Sequence, residues 1–134
     1  MKSIVAIIAL LAASWSVVAG DALDSCYRQA ETQKDYQQCL NSEYELVRHE
    51  YDRVVERVMT EARGLDRVQR KKTAAKAFME ANKSFLNYVE KECDWVSISH
   101  GAKSAGTNAK LACRINQLRI RTGALEAQFL SEEK

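Results

Sequence analysis

The chain has 134 residues, and its 20 lysines and arginines stand against 18 acidic residues, a formal net charge of +2. That balance excludes both the basic composition of a nucleic-acid binder and that of a strongly acidic decoy. Proline is absent, with only five glycines and four cysteines, so long helices meet few interruptions.

The first segment reads as an export signal. Lys2 precedes an apolar run from Ile4 to Ala13, and Val17-Val18-Ala19-Gly20 offers small residues for cleavage. The signal is expected to occupy 1–19, with cutting after Ala19 or Gly20. The run is shorter than the roughly 20 apolar residues of a spanning helix, so no transmembrane anchor is expected in the mature form. Leu23-Asp24-Ser25-Cys26 is a poor lipidation box, because Asp24 does not suit it and Cys26 lies well beyond the apolar run. What remains is about 115 residues, residues 20–134, enough for a single compact domain. Cleavage removes one basic residue, Lys2, and no acidic one, so the mature chain carries a formal +1.

Thr32-Gln33-Lys34-Asp35 resembles a capping box, in which the Thr32 hydroxyl accepts from the backbone near Asp35 and the carboxylate answers in return. Tyr36, Leu40, Tyr44, Val47, Tyr51, Val54, Val58 and Ala62 follow at steps of three and four, one stripe along a helix. Gly64 is expected to end that helix as a left-handed cap, with Asp66 and Gln69 restarting the chain. A second helix is expected from about Arg67 to Glu92, with Ala75, Phe78, Asn82, Phe85 and Val89 as its stripe. Leu111, Ile115, Leu118, Thr122, Leu125 and Phe129 mark a third, from roughly Asn108 to Leu130. No segment shows sustained alternation of period two. Short turns require neighbouring helices to run antiparallel. The expected fold is all-α, an antiparallel three-helix bundle with two disulfides clustered at one pole.

That clustering follows from the path. Cys39 lies near the start of the first helix, Cys93 ends the second, and Cys113 is in the first turns of the third. Cys26, on the lead-in, can fold back to the same end. Export into an oxidising compartment makes two disulfides the simplest use of four cysteines. Local pairing, Cys26–Cys39 and Cys93–Cys113, closes the shorter loops and is favoured. A crossed pairing stays compatible with the geometry.

Motifs for chemistry are sparse. The cysteine spacings do not match the close pairs of a zinc site, and His49 and His100 form no short ligand motif, so no metal and no cofactor are expected. No catalytic residue is assigned either. A cysteine nucleophile would have to stay reduced beside a histidine, and Glu43, Glu45, Glu50 and Glu56 are interleaved with Arg48, Arg53 and Arg57 as on a solvated helix face. The stretch from Arg63 to Lys76 holds Arg63, Arg67, Arg70, Lys71, Lys72 and Lys76 against Asp66 alone, a basic turn opposite the cysteines. The best candidate for contact with a partner is the segment Asp94 to Lys103, read as a loop between two anchored cysteines. It carries Asp94, Trp95, Ser97, Ser99, His100 and Lys103, with Trp95 as the anchor because tryptophan is enriched in binding hot spots.

The stretch from Asn82-Lys83-Ser84-Phe85-Leu86-Asn87-Tyr88-Val89 through Glu90-Lys91-Glu92-Cys93 resembles a known signature. It is the Gln-Arg-Ala-Trp-Leu-x-Tyr-Arg-Asp-x-x-Cys motif of the LprI-type family. Cys26, Thr32 to Cys39 and Tyr51 agree with the family's approach to its first helix. Cys113, Arg121 and Leu125 are similar to its ending. Phe85 stands for the usual tryptophan, Val89 for an arginine and Asn82 for a glutamine. Val47-Arg48 and Gln117-Leu118 depart as well, which makes this a divergent member. Phe85 keeps an aromatic anchor, whereas Val89 removes a charged contact.

The family consists of small exported helical proteins, and one lipoprotein member inhibits lysozyme. The resemblance therefore implies an exported, periplasmic or secreted binding protein that inhibits lysozyme or a related wall hydrolase. The alternative is an envelope structural or stress-associated module that binds another protein or wall component. Common lysozymes are strongly cationic, so complementary acid is expected on one face, from Glu43, Glu45 and Glu50.

Overall fold

A computed structural model describes residues 22–101 and 103–131. The expected signal peptide, residues 1–19, lies outside them. Among the described residues the chain is all helical: α1 (Ala22–Gln29), α2 (Gln33–Gln69), α3 (Ala74–Ser99) and α4 (Ser104–Leu125), with a closing π-helical turn, Glu126–Leu130. Four helices replace the expected three.

The additional one, α1, has eight residues, too few to persist alone. It is held from outside its own sequence. Ala22 and Cys26, one turn apart, are buried in the core, and Cys26 is bonded to Cys39 on α2. An exposed Asp24–Arg28 pair at 2.9 Å adds little. Because Cys26 is fully buried and disulfide-bonded, it has no thiol to offer for lipidation.

Both halves of the capping box at the start of α2 are present. Thr32 Oγ1 accepts from the Asp35 N–H at 3.2 Å, and the Asp35 carboxylate accepts from the Thr32 N–H at 3.0 Å. The helix then runs through Gly64 to Gln69, 37 residues in all. The expected stop at Gly64 is thus corrected. A single glycine costs a helix only about 1 kcal/mol, and Leu65 onward favours continuation. The left-handed residue that ends α2 is Arg70, at φ 51°.

α3 has 26 residues and begins and ends seven later than expected. Its start is capped at a distance by Asp66. That carboxylate accepts the backbone N–H groups of Thr73, Ala74 and Ala75 at 3.0, 2.7 and 3.1 Å, while Thr73 supplies no side-chain cap. These N–H donors, that of Ala74 first, hold the Asp66 carboxyl below the usual carboxylate range. α4 begins four residues earlier than expected and gives way to the π-helical turn at Glu126.

The core lies between α2 and α4. Leu40, Val47, Tyr51, Val54 and Val58 of α2 meet Ala112, Ile115, Leu118 and Leu125 of α4, with Phe78, Phe85 and Leu86 of α3 packed against them. The α2 and α4 stripes read from the sequence are buried or half-buried, except Phe129, which is exposed, and α4 also buries Ala109 and Ala112, which that reading left out. Tyr51 donates its phenolic O–H to the Asn82 side chain, joining α2 to α3. Burial pushes the phenol above its usual range, against the pull of Arg121. Arg121 in turn lies over the Phe85 ring, 5.4 Å from its centroid.

Candidate functional site

α3 is thinly covered. Only Val89 and Cys93 of its 26 residues are buried, whereas α4 buries eight of 22. The uncovered side of α3 bears Tyr88, Trp95 and Ile98, the last two 63 % and 73 % exposed. Tyr88 and Trp95 are seven residues apart, two turns and about 10 Å along one face, and Ile98 follows on the next turn. Large apolar side chains grouped on a surface mark an interaction site more often than scattered ones do.

Those turns are also firmly placed. Cys93 is bonded to Cys113, so α3 is covalently joined to α4 directly beside Trp95. Asp94 accepts from Lys110, and Glu90 accepts from Arg114; the contacts step back along α3 as they step forward along α4. At the turn, Gly106 approaches α3 closely. A Cβ there would lie 2.6 Å from the Gly101 carbonyl oxygen and 2.8 Å from that of Ser97. Gly101 takes φ 85° and Lys103 φ 69° in the short turn that joins the two helices.

The expected loop is therefore corrected. Asp94, Trp95, Ser97 and Ser99 belong to the last turns of α3, and only His100 to Lys103 connect it to α4. Nothing after Cys93 breaks a helix until Gly101, whose left-handed backbone ends it. Each residue singled out in that segment then has a definite place. Asp94 is occupied by Lys110. Ser97 is half-buried against Gly106. Ser99 Oγ donates to the Val96 carbonyl at 2.8 Å. His100 Nδ1 donates to the same carbonyl at 2.9 Å. The Lys103 carbonyl accepts from the Thr107 hydroxyl at 3.1 Å. Trp95 alone of the six presents a large apolar surface. Ile98 and Tyr88, which sequence reasoning did not assign to contact, share its side; their helical spacing from Trp95 was the available signal.

His100 also borders a cleft of about 570 Å³ between α1, the α1–α2 turn and the start of α4, lined among others by Tyr27, Thr32, Tyr36 and Asn108. Tyr27 and Tyr36 meet edge to face, ring centroids 6.3 Å apart. Leu23 borders this cleft and a smaller one shared with Cys113.

Two anticipated acids are already engaged: Glu43 accepts from Arg119, and Glu50 from Arg53 at 2.6 Å. All four cysteines are in disulfides, leaving no thiolate for nucleophilic work. Among the described residues no group of three or more His, Cys, Asp or Glu side chains is placed to hold a metal ion. None of the described helices is long and apolar enough to cross a membrane.

Searches among curated proteins and among solved structures gave no significant match. The sequence model of one family, described as Lysozyme inhibitor LprI, matches residues 24–125. That span runs from α1 to the end of α4 and takes in both disulfides, Trp95 and the turn after it. The chain belongs to the LprI lysozyme inhibitor family.

Proposed function

We propose that this protein is exported, to the periplasm or beyond the cell, and inhibits lysozyme or a related cell-wall hydrolase by protein–protein contact, without chemistry of its own. The observation that carries this reading is the exposed pair Trp95 and Ile98 on turns of α3 pinned to α4 by Cys93–Cys113. A side chain held ready in this way loses little entropy on binding, and a central tryptophan suits a hot spot. Family membership supplies the class of partner. In this reading the long helices run antiparallel, so the end of α3 and the start of α4 form one rigid edge. Ser97, Ser99, His100 and Lys103 border the contact, and Asp94 positions the edge through Lys110.

The contact is centred on apolar surface rather than on acid. Of the three acids expected to attract a cationic enzyme, Glu43 and Glu50 are engaged by arginines, which leaves the exposed Glu45.

A lysis assay with purified protein and lysozyme tests the reading. Slowed lysis is expected, with Trp95→Ala weakening inhibition by at least about tenfold, as loss of a hot spot does, and His100→Ala weakening it less. No slowing at large molar excess overturns the reading for the lysozyme tested and leaves an envelope module with another partner. Undiminished slowing by the Trp95→Ala protein removes this edge from the contact.

A further inference from the structure

The other end of the bundle has a different surface. Arg63, Arg67, Arg70, Lys71, Lys72 and Lys76 are all exposed around the α2–α3 turn. Against them stands Asp66, whose carboxylate is spent on three backbone N–H groups. Residues 63–76 thus carry a formal +5, while the chain without its signal carries +1, so everything else sums to −4. Of these six cations only Lys76 has an ion-pair partner among the described residues, Glu80 at 3.9 Å; Glu61 on α2 is another acid bordering this end. Between the cations, Val68 is 84 % and Leu65 52 % exposed.

Helix stabilisation does not account for this. Cations in the last turn of α2 suit its negative end, but Lys71, Lys72 and Lys76 lie at the positive start of α3, where they are unfavourable. The first turn of α3 holds no acid to offset them. Nor does an exposed valine flanked by an exposed leucine serve solubility. Basic side chains surrounding projecting apolar ones match an anionic bilayer surface, where the cations meet lipid phosphates and the apolar groups enter the headgroup boundary. The long lysine and arginine stems reach outward as Val68 and Leu65 sink.

We propose that the α2–α3 turn is a peripheral docking surface for an anionic lipid membrane. The charge division, +5 at the tip and −4 elsewhere, orients the molecule as it approaches. Its tip meets the membrane, and the disulfide end carrying Trp95 points away, toward soluble partners. The proposal does not depend on what Trp95 binds.

Co-sedimentation of protein purified from the export compartment of an expression host tests it, using vesicles of phosphatidylcholine with or without phosphatidylglycerol. Binding is expected to the anionic vesicles, absent from the zwitterionic ones, and lost as salt rises. Reversing three charges together (Arg70→Glu, Lys71→Glu, Lys72→Glu) is expected to weaken partitioning on the order of a hundredfold. Val68→Ser, which alters no charge, is expected to weaken it severalfold. Lys34→Glu, in the first turn of α2, leaves it unchanged. Circular dichroism confirms that each variant is folded, and the triple variant retains whatever activity the wild type shows in the lysis assay. Failure to sediment with anionic vesicles, equal sedimentation with both kinds, or undiminished binding by the triple variant overturns the proposal.

Discussion

The two turns between the long helices solve the same problem, a short connection, by opposite means. At the α3–α4 turn the connection is held by a disulfide, three interhelical ion pairs and a glycine that lets one backbone lie against another. At the α2–α3 end it is held by one carboxylate and a left-handed arginine. Covalent and steric fixing suits the role proposed above for this edge, which is to present Trp95 without moving. Hydrogen bonding by a lone aspartate suffices where charge rather than shape is displayed. The difference separates precision from electrostatics along one molecule.

The comparison can be broken most forcefully at the disulfide. Replacing Cys93 and Cys113 together by serine should lower the unfolding free energy by about 3 kcal/mol, measured by urea denaturation, with Trp95 fluorescence reporting a looser edge. Next is Gly106→Ala. Its Cβ would press on two backbone oxygens, so a loss of about 1–3 kcal/mol is expected; an unchanged midpoint would show that the turn yields.

At the opposite end, Asp66→Ala should lower the thermal midpoint at neutral pH by a smaller amount. Its sign with pH is fixed. A carboxyl held below its usual range stabilises fully above about pH 4, the ordinary aspartate value, and loses that contribution as pH falls through its folded value. The gap between wild type and variant should therefore close on acidification, as followed by circular dichroism. Smallest is Gly64→Ala. The added Cβ meets only the Arg67 guanidinium, at 3.9 Å, so a gain of about 0.5–1 kcal/mol is expected. A loss instead would mean that α2 needs flexibility before its tip.

How far the sequence discloses this arrangement depends on the kind of signal. Leu40 to Val58 and Ile115 to Leu125 are legible because a buried helical face repeats every three or four residues. The helix ends are not, because glycine is ambiguous. Gly64 sits inside a helix while Gly101 stops one, and only the backbone angle distinguishes them. α1 is hidden because its eight residues depend on Cys26 and the core rather than on propensity. Trp95 is legible as an anchor, while its neighbours can be found only by extending α3 past Cys93. Ile98 and Tyr88 became surface residues only once α3 was seen to bury a narrow face. The Asp94–Lys110 pair spans sixteen positions, a separation that carries no local pattern.

The order of the cysteines has a further effect, on how the chain matures. Each bridge joins a cysteine to the next one along, Cys26 to Cys39 and Cys93 to Cys113. A chain threaded across a membrane N-terminus first would offer its first two thiols to each other before the second pair had emerged. Oxidation in order of arrival then yields the native pattern with nothing to undo. Such a protein needs an oxidant in its compartment but makes little demand on a disulfide isomerase, and its yield should be insensitive to the loss of one.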